Sequence, residues 1–253
     1  MILLIDLGNT NLYVGAYKDG KLYKSFRKHS NLQLSSDEYG EILYQFFYTA
    51  KLDPEAFEGA LMSSVVPSLT YTIKEAVENI LNKPCKILGK GLKTGLNIRT
   101  DNPSEVGADL VADAVGAVNK YHAPCIIADL GTATKLIVVD NKGELIGCTI
   151  SLGIKTSMKA LTNGTAQLMD VNLQAPRKVV GKNSPDSINS GIVYGTSAMI
   201  ERMAEMIEEE LGYKCTLILT GGCAPLVKDL LKDFIYDSTL ILDGLYHIYS
   251  KNI

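Results

Sequence analysis

Leu3–Leu22 reads LLIDLGNTNLYVGAYKDGKL and Ile126–Leu145 reads IIADLGTATKLIVVDNKGEL, an offset of 126 − 3 = 123 residues, close to half the 253-residue chain. Aligned without gaps, the segments share Asp6-Leu7-Gly8 and Asp129-Leu130-Gly131, and Gly20/Gly143 and Leu22/Leu145 coincide. Each reads as an apolar strand, a glycine-containing loop, a second strand, a turn and a third strand. The turns are Lys18-Asp19-Gly20 and Asn141-Lys142-Gly143, whose glycines can supply the positive φ that tight hairpins need. Two buried hairpins can look alike by chance. Their matching positions in the two halves favour an internal duplication, with domains expected over 1–121 and 122–253.

Helix and strand alternate through the rest. Ser35 with Glu38 fits a capping box ahead of the stripe Ile42, Leu43, Phe46, Phe47. Gly59–Val66 reads as a strand, Thr70–Asn82 as a helix and Cys85–Leu88 as a short strand. Glu105–Tyr121 reads as a helix with Val106, Leu110, Val111, Ala114, Val115 and Val118 on its apolar side. A loop-rich stretch over 163–185 leads to a long helix from Asp186 to Leu211. Strand Thr216–Thr220, turn Gly221-Gly222, a helix over Ala224–Lys232 and a last helix over Gly244–Lys251 follow. The class is α/β: two similar domains, each a mixed sheet opening with a three-stranded meander and flanked by helices.

With 46% apolar and 21% charged residues the chain has an ordinary globular composition. Its length suffices for a core without disulfides or a structural metal. Twenty-five Lys+Arg against 28 Asp+Glu give a net charge of −3, which offers no support for nucleic-acid binding through a basic face. Apolar runs such as Met1–Ile5 fall far short of the ~20 residues of a membrane helix, so no membrane partner is expected. Five cysteines form no CxxC pair and point to structural thiols in a reducing cytoplasm. Three scattered histidines make zinc an unexpected cofactor.

Asp6, Gly8, Asn9 and Thr10 sit where an apolar strand meets a tight turn. A carboxylate there can hold hydrated Mg²⁺, while loop amides and a hydroxyl bind phosphate oxygens. Alone this is equally a plain hairpin turn. The second copy, Asp129-Leu130-Gly131-Thr132-Ala133-Thr134, shifts the balance toward two loops that clamp a polyphosphate. Thr220-Gly221-Gly222 adds a place where backbone can approach a nucleotide closely.

Duplicated Asp-x-Gly hairpins resemble the phosphate loops of the actin-like ATPase superfamily, whose domains are ribonuclease H-like and which includes acetate and sugar kinases. Nearly the whole chain resembles the type III pantothenate kinases. The resemblance is carried by Asp6-Leu7-Gly8-Asn9-Thr10-Asn11, Ser63-Ser64-Val65-Val66-Pro67, Thr94-Gly95-Leu96-Asn97-Ile98 and Asn102-Pro103. It continues through Gly107-Ala108-Asp109, Asp129–Thr134, Gly181-Lys182-Asn183, Ser190-Gly191-Ile192, Thr220-Gly221-Gly222 and Gly244-Leu245. It implies ATP-dependent phosphorylation of pantothenate to 4′-phosphopantothenate, the first step of coenzyme A synthesis, with Mg²⁺ accompanying ATP. It further implies that Asp6, Leu7, Gly8, Asn9, Thr10, Asn11, Leu12, Tyr13 and Thr132 bind ATP. Asp109 matches the catalytic carboxylate, and Asp129 the ligand of a monovalent cation, K⁺ or NH₄⁺. Thr100, Gly107, Ala108, Asp109, Leu110 and Ser184 fall at substrate-binding positions, and a homodimer with a shared active site is implied. Asp113 lies one helical turn beyond Asp109.

The chain departs from the family pattern around the acceptor. Leu110 stands where an arginine is usual, Thr100 where a tyrosine is, and Ser184 where a threonine is. Lys135 ends the segment usually written Gly-Thr-Ala-Thr-Thr, and Cys148 and Leu152 depart from a Gly-Gly-x-Ile-x-Pro-Gly segment. Leucine lacks arginine's charge and donor fork. For Lys135, a positive charge near phosphate and a solvent-facing side chain are both open. The alternatives to pantothenate are another small hydroxyl compound as acceptor, or a catalytically weak nucleotide-binding regulatory paralogue.

Overall fold

The computed structural model describes residues 1–165, 168 and 170–253. In chain order the first elements are β1 (Ile2–Leu7), β2 (Asn11–Lys18), β3 (Lys21–His29), α1 (Ser36–Ala50), β4 (Gly59–Ser64), α2 (Pro67–Leu81), β5 (Cys85–Ile87), β6 (Asn97–Ile98) and α3 (Ala108–Tyr121). Next come β7 (Cys125–Leu130), β8 (Ala133–Val139), β9 (Glu144–Leu152), α4 (Ile154–Asn163), α5 (Ser184–Asn189), α6 (Gly195–Leu211), β10 (Thr216–Thr220), β11 (Ile235–Tyr236) and α7 (Leu240–Ser250). Two compact units result. One is Met1–Leu96 with Asn102–Asn119 and Thr239–Ile253; the other is Asn97–Asp101 with Lys120–Ser238. A cut after residue 121 leaves α7 in the second half, whereas the structure packs it on β1 and β4 of the first unit.

The first sheet has the order β3-β2-β1-β4-β5. Its meander is antiparallel, and β4 and β5 continue it in parallel. Covered strands carry near-continuous apolar runs, and β1 fits: Ile2–Ile5 and Leu7 are buried. Leu3, Ile5 and Leu7 join Tyr39, Leu43 and Phe46 of α1 and Ile73 and Val77 of α2 in one core. Period-two alternation turns Leu4 and Asp6 to the opposite face. There α7 lies: a Cβ on Gly15, the partner of Leu4, would meet the Leu242 side chain. At the edge, β3 carries Lys21, Lys24, Arg27 and Lys28, charges that discourage edge-to-edge pairing. Helix α1 opens with the expected box, Glu38 N–H donating to Ser35 Oγ and Ser35 N–H to Glu38 Oε2 at 2.8 Å.

The second sheet runs β11-β10-β7-β8-β9-β6. Read from the meander, β9-β8-β7-β10-β11 repeats the strand order of the first sheet, with β6 added in parallel outside β9. The duplication thus extends beyond the hairpins to five strands. Ile126, Ala128 and Leu130 face a core with Ile154 and Met158 of α4, Ile188 of α5 and Ile200 of α6, leaving Asp129 on the other face. A bulge falls at the same place in both meanders, between Ala16 and Tyr17 and between Val138 and Val139.

Several elements differ from the sequence expectation. Ala224–Lys232 is no helix but a 3-10 turn, Ala224–Leu226, followed by mixed turns. The spacing of Val227, Leu231 and Phe234 is helical because all three are buried. Their backbone bonds, however, alternate between i−3 and i−4 partners. Helix α3 starts at Ala108, because Pro103–Glu105 forms its own 3-10 turn. The long helix begins earlier, at Ser184, where the Asn183 side chain accepts from Asp186 N–H, and a π turn over Ser190–Tyr194 interrupts it. Helix α4 was not expected, since only Ile154 and Met158 of its ten residues are buried. The two-residue strands β6 and β11 carry no alternation to read.

Candidate active site

In the first unit β1 delivers Asp6 to the mouth of a four-residue loop, closed by Gly8 N–H donating to Asn11 O at 3.0 Å. Ser30, the residue after β3, fastens the loop: its N–H reaches Thr10 O at 2.9 Å and its hydroxyl reaches Gly8 O at 2.7 Å. Of the expected ATP-binding residues, Asn9 is exposed and Gly8, Thr10 and Asn11 are partly exposed. Leu7, Leu12 and Tyr13 are buried, so their side chains belong to the core and to the stack of Arg27 on the Tyr13 ring at 3.9 Å. Beside Asp6, in register on β4, Ser63 is fully buried and its hydroxyl has no hydrogen-bond partner among the described residues. Buried hydroxyls are rarely left so, and the sequence reading did not place Ser63 in the site.

Helix α3 brings Gly107, Ala108, Asp109 and Leu110 together at its start. Asp109 Oδ1 accepts the Leu110 N–H at 2.9 Å. The carboxylate lies so close over Gly107 that a Cβ there would strike Asp109 Oδ1. Leu110 and Asp113 are buried, so the residue in the arginine's place packs inward. Backbone contact holds α3 in position. Gly116 of α3 and Gly244 of α7 face one another, and a Cβ on Gly244 would overlap Ala112 O and lie 2.9 Å from Gly116 N.

In the second unit β7 delivers Asp129 to a loop one residue shorter, closed by Gly131 N–H to Ala133 O at 3.0 Å. Thr132 O accepts from Gly153 N–H at 3.1 Å and from the Thr156 hydroxyl at 2.6 Å. Lys135, directly opposite Asp129 on β8, places its Nζ 2.6 Å from Asp129 Oδ2, with both side chains only 13% exposed. It does not face solvent. Behind the carboxylate runs the backbone at Gly221, whose φ is +95° and whose Cβ position lies 2.5 Å from Asp129 Oδ1. Cys223 follows; burial above all, and the Asp129 charge to a lesser degree, push its thiol pKa up, while Lys155 opposes them. It is therefore a protonated structural thiol at neutral pH.

Thr100 and Ser184 also lie in this unit. The Thr100 hydroxyl is buried without a hydrogen-bond partner among the described residues. Ser184, the exposed first residue of α5, lines an open pocket of about 650 Å³ with Gly181, Lys182, Asn183, Ser187 and Gly191. The structure therefore assembles Asp6–Tyr13 and Gly107–Leu110 in the first unit, and Thr100, Asp129, Thr132 and Ser184 in the second.

Two sheets of one strand order, each opening with an Asp-bearing phosphate-type loop, define the actin-like ATPase and sugar-kinase fold. Solved structures agree. The chain matches the (R)-2-hydroxyglutaryl-CoA dehydratase component A of Acidaminococcus fermentans with TM-score 0.57 and 15% identity, covering 98% of this chain and 95% of that one. It also matches the activator of 2-hydroxyisocaproyl-CoA dehydratase from Clostridium difficile, solved with bound ADPNP, with TM-score 0.54 and 12% identity over 99% and 94% of the two chains. The type III pantothenate kinase family model matches residues 2–206. Type III pantothenate kinases of Acholeplasma laidlawii and Bifidobacterium animalis subsp. lactis are 40% and 36% identical, each over 100% of both chains. The chain belongs to the type III pantothenate kinase family. Among the described residues no helix is long and apolar enough to cross a membrane.

Proposed function

We propose that the chain transfers the γ-phosphoryl group of ATP to the primary alcohol of pantothenate, giving 4′-phosphopantothenate and ADP. The observation that carries this reading is the Asp109 carboxylate at the start of α3, held over Gly107 and by the Leu110 amide. Full-length identity to named pantothenate kinases supports the choice of acceptor. Phosphoryl transfer depends on positioning and charge neutralisation more than on covalent chemistry by the protein. In the reaction Asp109 accepts the hydroxyl proton as the alcohol oxygen bonds to the γ-phosphorus. The bond from that phosphorus to the β–γ bridging oxygen breaks, and ADP leaves.

Each loop supplies backbone donors for phosphate oxygens from its amides other than those of Gly8 and Gly131, which close the loops. The Asp6 carboxylate and the Ser63 hydroxyl, which has no hydrogen-bond partner among the described residues, are hard oxygen donors on neighbouring strands, a set that suits Mg²⁺. Held there, Mg²⁺ would supply charge neutralisation on the phosphates of ATP. Ser184 and the pocket beside it are assigned to the acceptor.

We also infer a homodimer, supported by Ile150 and Leu152, exposed on one face of β9; light scattering tests it. Five free thiols support a reducing, cytoplasmic location. The deciding experiment couples ADP release to NADH oxidation with Mg²⁺-ATP, with and without pantothenate. Pantothenate-dependent release, with the phosphorylated product seen by mass, is expected. Release that ignores pantothenate, or none at all, overturns the assignment.

A further inference from the structure

The strand pairing sets Asp129 and Lys135 opposite one another, and the ammonium rests 2.6 Å from Asp129 Oδ2 in a place only 13% exposed. On the other side, Asp129 Oδ1 is backed by the Gly221 backbone, where even a methyl group would lie 2.5 Å away. A K⁺ or NH₄⁺ ion bound by this carboxylate would have to displace the lysine head or share one anion with it. Two cations sharing one carboxylate, sheltered from water, repel strongly. The residues around Asp129 therefore do not fit the monovalent cation that the family resemblance implies. They already hold its chemical equivalent: a lysine head group is an ammonium with three donors and unit charge, tethered by a four-carbon stem.

We propose that the Lys135 ammonium takes the place of the activating monovalent cation, so that this chain works without K⁺ or NH₄⁺. The proposal rests on the pantothenate kinase reading, and its location follows from the register. Lys135 is the residue of β8 opposite Asp129, as Tyr13 is the residue of β2 opposite Asp6. Neither neighbour of Lys135 on β8 is ionisable, Thr134 being fully buried and Leu136 apolar.

The test measures pantothenate-dependent ADP formation in choline buffers, with ATP as its choline salt and with KCl, NH₄Cl or NaCl replacing choline chloride at constant ionic strength. Constant ionic strength separates specific binding from screening. For the native chain, rates in choline and in K⁺ are expected to agree within about two-fold. Lys135→Met is expected to lose about 10-fold or more in choline, a loss of the size seen when a partner that orients a bound ion is removed, and K⁺ or NH₄⁺ is expected to restore part of it. A native enzyme stimulated about 10-fold or more by K⁺ over choline overturns the proposal and leaves the kinase reading standing. That native arm decides alone if Lys135→Met fails to fold. The second readout needs no turnover: the thermal midpoint with Mg²⁺-ATP should shift with added K⁺ for Lys135→Met and stay fixed for the native chain. A native midpoint that rises with K⁺ but not with Na⁺ also overturns it. Absence of pantothenate-dependent turnover in every buffer, with the midpoint arm behaving as expected, counts against the kinase reading and in favour of the tethered ammonium.

Discussion

Gly244→Ala adds one methyl group where α7 crosses α3. The new Cβ would overlap Ala112 O and come within 2.8 Å of Ala112 C and 2.9 Å of Gly116 N. All three are backbone atoms, so no rotamer change relieves the contact and the helices must separate. Overpacking of a tight core costs about 1–3 kcal/mol and occasionally more, and a backbone clash belongs at the upper end. Alanine returns about 0.8–1 kcal/mol of helix propensity relative to glycine. The net loss is therefore about 2 kcal/mol, which at about 2–4 °C per kcal/mol for a chain of this size lowers Tm by about 4–8 °C. Gly195→Ala is the control. Gly195 is exposed, within the α5–α6 helical run, with nothing inside 4 Å of its Cβ position, so the same methyl should leave Tm unchanged or raise it by up to about 4 °C. Scanning calorimetry on both variants reads the difference directly. A Gly244→Ala chain as stable as its parent would refute the claim that α3 and α7 touch backbone to backbone.

Asp109→Asn should lower turnover by about 10²–10⁴-fold while ATP binding, measured by calorimetry, stays close to native; unchanged turnover would remove Asp109 from the chemistry. Gly107→Ala pushes on the Asp109 carboxylate and should lower kcat more than it raises the KM for ATP, which steady-state kinetics separates. Burial pushes the Cys85 and Cys125 thiols up to about 12, so at pH 8 about one in 10⁴ is a thiolate. Iodoacetamide should then label exposed Cys148 and spare both, as peptide mass mapping would show. The same burial fixes the sign of a pH effect. From about 9 to about 12 an unfolded thiol loses its proton while the folded one keeps it, so these groups lower stability as pH rises through that range. A chain more stable at pH 10.5 than at pH 8 would contradict it.

The two meanders that open the sheets were legible in the sequence because their cause is local, whereas the parallel pairings that complete the order were not. An apolar run such as Ile2–Ile5 ahead of Asp-Leu-Gly can be satisfied only by a covered strand ending in a tight loop. The capping box at Ser35 and Glu38 likewise needs no tertiary partner. What stayed hidden depends on partners distant in the chain. Nothing near Gly244 announces Gly116, and nothing near Ser63 announces Asp6. Lys135 is the sharpest case. A gapless alignment of the repeats sets it against Leu12, since 12 + 123 = 135, whereas the pairing sets it against Tyr13. Tyr13 is opposite Asp6 and Lys135 opposite Asp129, so the gapless frame assigns the lysine to the wrong face.

The cause of that slip is the shorter second loop. Leu7 pairs with Leu12, but Leu130 pairs with Thr134, one residue sooner. The missing residue returns at the far end of the strand. Lys18 and Lys21 close around Asp19-Gly20, with φ of 50° and 77°, whereas Asp140 and Glu144 close around the three residues Asn141-Lys142-Gly143. Between these compensating changes the two copies run out of phase by one residue, and in a strand one residue exchanges inside for outside. The halves are thus not interchangeable cassettes. Moving Gly8–Tyr17 onto 131–140 by sequence number would bring the longer loop while keeping the longer turn, leaving β8 one residue short between them, and would take the ammonium from Asp129. A working chimera must carry loop and turn together.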